Sequence, residues 1–172
     1  MTVDRLDTLA RPIRLLFLDV DGVLADGGIL LGEAGELKRF AARDGTASYL
    51  SRRVDLELML VTFRDSEAVR RRAAELGVEA EQGIADKLSV VERVCAAREL
   101  DLSEVAFMGD DLVDLKAMRA VGLAIAPRDA AVPALRLAHI VTRSPGGHGA
   151  VREAVEVVMW LNRVQRERET DA

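Results

Sequence analysis

Apolar positions along the chain fall into two alternating rhythms. The short runs 14–20 (RLLFLDV), 56–62 (LELMLVT), 104–108 (EVAFM), 122–126 (GLAIA) and 139–142 (HIVT) are largely apolar, as strands covered on both faces are. Between them apolar residues recur at helical spacing, near 45–53, 66–76, 87–99, 112–121, 130–137 and 148–166. Asp65 and Asp86 stand where helix N-caps belong, and Gly77 and Gly122 where helices stop. The alternation predicts an α/β fold: a Rossmann-like parallel sheet with helices on both faces. No repeat, low-complexity tract or Pro-rich linker divides the chain, so residues 1–172 are expected to form a single domain.

One segment breaks the rhythm. Residues 26–40, DGGILLGEAGELKRF, place a turn-rich GEAG between two short runs able to pair, which predicts a β-hairpin leaving the end of the first strand. Its apolar residues Ile29, Leu30, Leu31, Leu37 and Phe40 have little core to cover them, as expected of a lid or a surface that meets a partner subunit. A hairpin folded back on its own core is the other arrangement the pattern allows.

Composition narrows the field. The net charge of −5 disfavours nucleic acid as a partner, because phosphate backbones require a basic face. Arg70, Arg71 and Arg72 are then expected on a solvated helix face. Cys95 is the sole cysteine, which excludes a disulfide framework and a cysteine metal centre. The N-terminal MTVDRLDTLARP has no apolar leader run, and no stretch approaches the roughly 18 apolar residues that span a bilayer. A cytoplasmic protein without membrane attachment is expected.

The chemistry lies where polar residues follow the predicted strands, since ligands of parallel α/β sheets bind at the carboxyl ends. After the first strand come Asp19 and Asp21, then Gly22; after the second comes Thr62; at the start of a later helix comes Lys87; after the run ending in Met108 come Gly109, Asp110 and Asp111. Strand alternation would put Asp19 and Asp21 on one side, where two carboxylates repel unless a cation sits between them. A hard cation with few carboxylates and several waters is the mode of Mg2+. Such a set also suits phosphoryl transfer. A carboxylate can be the nucleophile, a second can move the proton, and a lysine and a hydroxyl can steady the phosphoryl oxygens. Singly, each residue has an ordinary reading, Thr62 as a satisfied strand-end hydroxyl and Lys87 as a first-turn lysine. DVDG also fails the calcium-loop pattern, because Val23 and Leu30 occupy ligand positions. Order and spacing together point to the phosphoryl chemistry.

Asp19-x-Asp21, Thr62, Lys87 and Gly109-Asp110-Asp111 match the four motifs of the haloacid dehalogenase superfamily, which the chain resembles. More narrowly it resembles the capless branch that hydrolyses 3-deoxy-D-manno-octulosonate 8-phosphate and related nine-carbon sialic-acid-type phosphates. That resemblance runs from about residue 12 to 160 and includes DGVLADGGI, FAARDG and TRSPGGHGAVRE. It implies Asp19 as nucleophile, Asp21 as general acid/base, and Thr62 and Lys87 on the phosphoryl group. It further implies Mg2+ held by Asp19, the backbone carbonyl of Asp21 and Asp110, with Asp111 supporting Lys87 or the metal shell. A homotetramer built through the hairpins, a keto-deoxy sugar acid phosphate as substrate, and a place in lipopolysaccharide synthesis follow from the same resemblance.

Substrate contacts are expected from Arg64, whose guanidinium matches a sugar carboxylate, and from Gly147 and His148 in the GGHG loop. His139 reads as a core or strand-edge residue, and the Met159–Trp160 pair as packing residues. The match departs at TFR, where relatives carry glycine in place of Phe63. Two other classes compete with a phosphatase. A weakly active assembly module associated with a sugar nucleotidyltransferase draws its only support from Phe63. A phosphoacceptor signalling domain would place its acidic pair first, the reverse of the order here.

Overall fold

The computed structural model describes residues 11–32 and 35–170. In chain order the elements are β1 (Leu15–Leu18), β2 (Leu30–Gly32), β3 (Gly35–Leu37), α1 (Ala42–Ser51), β4 (Glu57–Val61), α2 (Glu67–Leu76), β5 (Glu79–Glu81), α3 (Lys87–Ala97), β6 (Val105–Met108), α4 (Leu115–Ala120), β7 (Leu123–Ala126), α5 (Val132–Leu137), β8 (Ile140–Val141) and α6 (Ala150–Thr170). Among the described residues six strands form one sheet in the order β5-β4-β1-β6-β7-β8, with every pairing parallel. The chain fills one side of β1 with β4 and β5, then crosses to fill the other with β6, β7 and β8. That reversal makes the carboxyl ends of β4, β1 and β6 the switch point where such sheets bind ligands.

Alternation along the strands builds two cores. Leu16, Leu18, Leu58, Leu60, Met108 and Ile125 pack with α1, α2 and α6 residues such as Ala47, Val69 and Val155. Leu15, Phe17, Met59, Val61 and Phe107 pack with residues of α3, α4 and α5, including Val91, Met118 and Ala134. Phe17 and Phe107 stack across the β1–β6 pair, with ring centroids 6.4 Å apart. α6 is tied down at both ends of its buried stretch. The Asp44 carboxylate accepts the amides of Gly149 (3.1 Å) and Arg152 (2.9 Å) at its start. Farther along, Asn162 exchanges two hydrogen bonds with the Ile13 backbone, at 2.8 and 2.7 Å.

Several boundaries differ from the sequence expectation. β5, with the sequence EAE, is a polar edge strand and carries no apolar run to announce it. The segment 112–121 opens with a 3-10 turn, Leu112–Asp114, before α4 begins. Asp65 does not cap α2: the cap position is Ser66, whose amide is held instead by Gln82 Oε1 at 2.8 Å. Asp86 does occupy the cap position of α3, but its side chain makes no capping bond. Gly77 ends α2 in the left-handed region, φ +63°. α6 runs through Thr170, beyond the expected end near 166, and residues 171 and 172 lie outside the described residues. So do residues 1–10, on which most of the leader-free reading rests.

The hairpin forms as expected. β2 and β3 pair antiparallel, with Leu30 opposite Leu37 and Gly32 opposite Gly35; the tip, residues 33 and 34, lies outside the described residues. Ile29, Leu30, Leu31 and Leu37 are exposed, Leu31 by 83%. Phe40 is the exception. It is half-buried against the first core, beneath the Arg72 guanidinium, so it belongs to the body and not to the flap. Arg72 is itself buried, contrary to the solvated face expected for the arginine run, because it reaches inward to Phe40 and the Ala41 carbonyl. The hairpin is the only insertion between β1 and α1, and no cap domain is present among the described residues.

Candidate active site

β4, β1 and β6 lie side by side, so the residues immediately after them are neighbours. Thr62 follows β4, Asp19 follows β1, and Gly109-Asp110 follows β6. Backbone bonds carry the register past the strand ends: Asp19 N donates to Met108 O (3.0 Å) and Thr62 N to Glu81 O (3.0 Å). Lys87 enters from the first residue of α3. Asp19, Thr62 and Lys87 are all buried. With Asp21, Gly22, Gly27, Phe63, Arg64, Asp110, Asp111 and Val113 they line an open cleft of about 280 Å3.

Lys87 Nζ sits between two carboxylates, 2.7 Å from Asp19 Oδ1 and 2.6 Å from Asp114 Oδ1. Asp114 was not among the candidates read from the sequence, yet it is wholly buried, 0% exposed. Its second oxygen accepts the amides of Asp110 (3.0 Å) and Asp111 (3.1 Å). It therefore does the work expected of Asp111, whose own carboxylate caps the 3-10 turn through Leu112 N at 2.7 Å. A helical reading of 112–121 could not have shown this, because the turn preceding α4 is what aims Asp114 back beneath the loop. Gly109 makes that approach possible, since a Cβ there would overlap Asp114. Gly22 (φ +82°) does the same for Asp110, whose carboxylate occupies the space a side chain at 22 would need.

One ligand oxygen from each of Asp19, Asp110 and Asp114 lies within 4.8 Å of the others. Burial pushes the Asp19 carboxyl up to about 6, against the pull of Lys87. Burial, followed by the charges of Asp19, Asp114 and Asp111, pushes Asp110 up to about 8. Burial works against the ammonium of Lys87, but Asp19 and Asp114 outweigh it and hold it above the usual lysine range. One lysine thus faces three acids, and a divalent cation is the charge that balances the set. Asp114 has both oxygens engaged, which leaves Asp19 and Asp110 as the carboxylates free to ligate.

Asp21 is placed differently from the strand alternation that predicted it. β1 ends at Leu18, and Asp21 lies in the turn that follows, bridged to Ala25. The charges that act on Asp19 are those of Lys87 and Asp114, while Asp21 pairs with Lys38 of the hairpin. Arg64 reaches the cleft and pairs with Glu36. Phe63, 57% exposed, stands at the mouth with Val113.

Gly147 and His148 are not among the residues lining this cleft. Gly147 donates to Val23 O (2.9 Å) and rests so closely on the Ala25–Asp26 backbone that a side chain would overlap it. His148 is exposed; its Nδ1 lies 2.8 Å from Gly146 O, and its Nε2 lies 3.1 Å from Arg39, which also binds Asp26. The guanidinium can only donate, which fixes the Nδ1–H tautomer of His148. His139 is exposed next to β8 and accepts from Ala124 N (2.9 Å), a strand-edge position and not a core one.

A family model for haloacid dehalogenase-like hydrolases matches residues 55–154. The chain is 41% identical over 152 residues to the 3-deoxy-D-manno-octulosonate 8-phosphate phosphatase of Yersinia pestis, covering 87% of this chain and 81% of that one. The crystal structure of the Yersinia pestis phosphatase superposes with a TM-score of 0.87 at 39% identity, over 93% of this chain and 88% of that one. That of the Moraxella catarrhalis enzyme, solved with magnesium, phosphate and 3-deoxy-D-manno-octulosonate, gives 0.88 at 33% identity over the full length of both. The chain belongs to the haloacid dehalogenase-like hydrolases. Within them it falls in the capless branch typified by the 3-deoxy-D-manno-octulosonate 8-phosphate phosphatases.

Proposed function

We propose that this protein is a Mg2+-dependent phosphatase of a keto-deoxy sugar acid phosphate, with 3-deoxy-D-manno-octulosonate 8-phosphate as the leading substrate and a nine-carbon sialic-acid-type 9-phosphate as the alternative. One observation carries the reading: Asp19, Thr62, Lys87 and Asp110 converge in one cleft of a chain 41% identical to such a phosphatase. Asp19, the backbone carbonyl of Asp21 and Asp110 are the groups to hold the metal. Bound there, Mg2+ would neutralise phosphoryl and carboxylate charge.

The residues divide the work by position. Lys87 and Thr62 bind the phosphoryl oxygens, and the fixed charge of Lys87 keeps Asp19 aligned and ionised for attack. Asp19 forms a bond to phosphorus as the bond to the sugar oxygen breaks, and Asp21 gives that oxygen its proton. Water then attacks the phosphorus of the aspartyl-phosphate; Asp21 takes the water's proton, and Asp19 and inorganic phosphate separate. On this reading Arg64, which lines the cleft, takes the sugar carboxylate; Gly147 and His148 lie outside that lining, with His148 joined to Arg39. The exposed leucines of the hairpin support assembly through the flap, as a homotetramer. The likeness to the 3-deoxy-D-manno-octulosonate 8-phosphate phosphatases supports a cytoplasmic enzyme serving lipopolysaccharide synthesis.

The test is phosphate release from a panel of eight- and nine-carbon keto-deoxy acid phosphates beside hexose phosphates, with and without Mg2+. Metal-dependent turnover of one acid, lost in Asp19→Asn, is the expected result. No turnover on any of them would favour the assembly module, and Phe63→Gly would then be the first variant to examine.

A further inference from the structure

The hairpin contributes more than an apolar face. Glu36 and Lys38 are two residues apart along its return strand, so they share one face, while Leu37 between them turns out to solvent. On that face the two side chains meet Asp21 and Arg64, both of which line the cleft. The side chain of Lys38 is wholly buried, 0% exposed, which is unusual for a lysine that could snorkel to water from a hairpin. Its ammonium pairs with Asp21 Oδ1 and lies 2.6 Å from Glu36 Oε1. The other oxygen of Glu36 takes the Arg64 guanidinium. Four alternating charges, Asp21, Lys38, Glu36 and Arg64, thus run unbroken from the proton-transfer position to the mouth of the cleft.

Burying an ammonium is costly unless it is paired on every side, and Lys38 is paired with two carboxylates. Asp21 needs such a partner. It sits in a half-exposed turn and not on a strand, so nothing in its own backbone fixes its carboxylate. The ammonium engages only Oδ1, which leaves Oδ2 for the leaving oxygen or the attacking water. Glu36 is in turn held below the usual carboxylate range by Arg64 and Lys38.

On the phosphatase reading given above, we propose that Lys38 is a positioning residue for Asp21, and that Glu36 locks the flap to the site by bridging Lys38 and Arg64. All four residues belong to one chain, so the chain itself supplies the partner of its acid/base group. The flap is then a working part of the site as well as a surface for assembly.

The experiment uses the Mg2+-loaded full-length protein and its Lys38→Met and Lys38→Arg variants. It measures kcat and KM on 3-deoxy-D-manno-octulosonate 8-phosphate and on p-nitrophenyl phosphate, whose leaving group departs without protonation. Lys38→Met should lower kcat on the sugar acid phosphate about 10- to 100-fold, a part of the roughly 10²–10⁴-fold that a positioned proton donor supplies, with KM changed by less than about threefold. On p-nitrophenyl phosphate the loss should be several-fold smaller. Lys38→Arg, which keeps the charge, should recover part of the rate. An unchanged kcat in Lys38→Met overturns the proposal. A loss accompanied by a changed solution mass or a lowered melting temperature assigns Lys38 to folding or assembly and overturns it too. A wild-type protein that releases phosphate from neither compound overturns the phosphatase reading, and the positioning role falls with it.

Discussion

Asp114 uses both of its oxygens, one on Lys87 and one on the two amides that shape the Asp110–Asp111 loop. Asparagine at this position could accept from only one of those partners, leaving a buried donor unsatisfied. Asp114→Asn should therefore lower kcat by about one to two orders of magnitude and cost roughly 1–3 kcal/mol of stability, both read on the purified protein. Asp111→Asn should do less of both, because the Asp111 side chain lines the cleft but its carboxylate holds only the Leu112 amide. If the two variants rank in the opposite order, Asp111 is the supporting residue after all. The contrast shows what was legible at this scale. Asp19, Thr62, Lys87 and Asp110 stand at strand or helix ends, where spacing alone places them in the cleft. Asp114 and Lys38 carry no such signal. One depends on a 3-10 turn written like a helix, the other on a hairpin returning to the strand it left.

At the scale of elements, most of the fold follows from the apolar rhythm, and the exceptions share a cause. β5 is polar because it lies at the sheet edge, so burial gave it no pattern to show. Phe40 and Arg72 resemble surface residues in sequence but are held inward by each other, a contact between α2 and the segment before α1 that no local pattern records. The closure of α6 on the sheet has the same character. Asn162 reads as a polar interruption of an amphipathic helix, yet it is buried and satisfies both backbone groups of Ile13. Asn162→Ala removes both partners at once and leaves a buried N–H and C=O unpaired. It should destabilise the fold by about 2–4 kcal/mol in urea denaturation, with activity at low denaturant retained because the clamp lies at the amino end of β1, away from the cleft. A loss below about 0.5 kcal/mol would mean that water replaces the clamp.

For the whole molecule, the proposed assembly and the proposed metal site are tested by different variants. Leu30 and Leu31 are exposed on the flap and touch neither core, so Leu30→Asp and Leu31→Asp should lower the solution mass in light scattering while leaving the fold intact. An unchanged mass in both would place the interface elsewhere. Metal binding is read through pH. In the unfolded chain Asp19 and Asp110 ionise near the ordinary 3.8, whereas the metal-free fold holds their protons up to about 6 and about 8. As pH rises, the unfolded chain releases those protons first. The metal-free protein therefore loses stability progressively as pH climbs through the folded values, first about 6 and then about 8. A divalent cation takes the place of the protons, so its own binding strengthens over the same window. The gain in melting temperature from millimolar Mg2+ should be small near pH 5.5 and several degrees near pH 8, and Asp110→Asn should flatten the difference. A gain that is equal at both pH values, or larger at the lower one, would show that Asp19 and Asp110 are not the carboxylates that exchange protons for the metal.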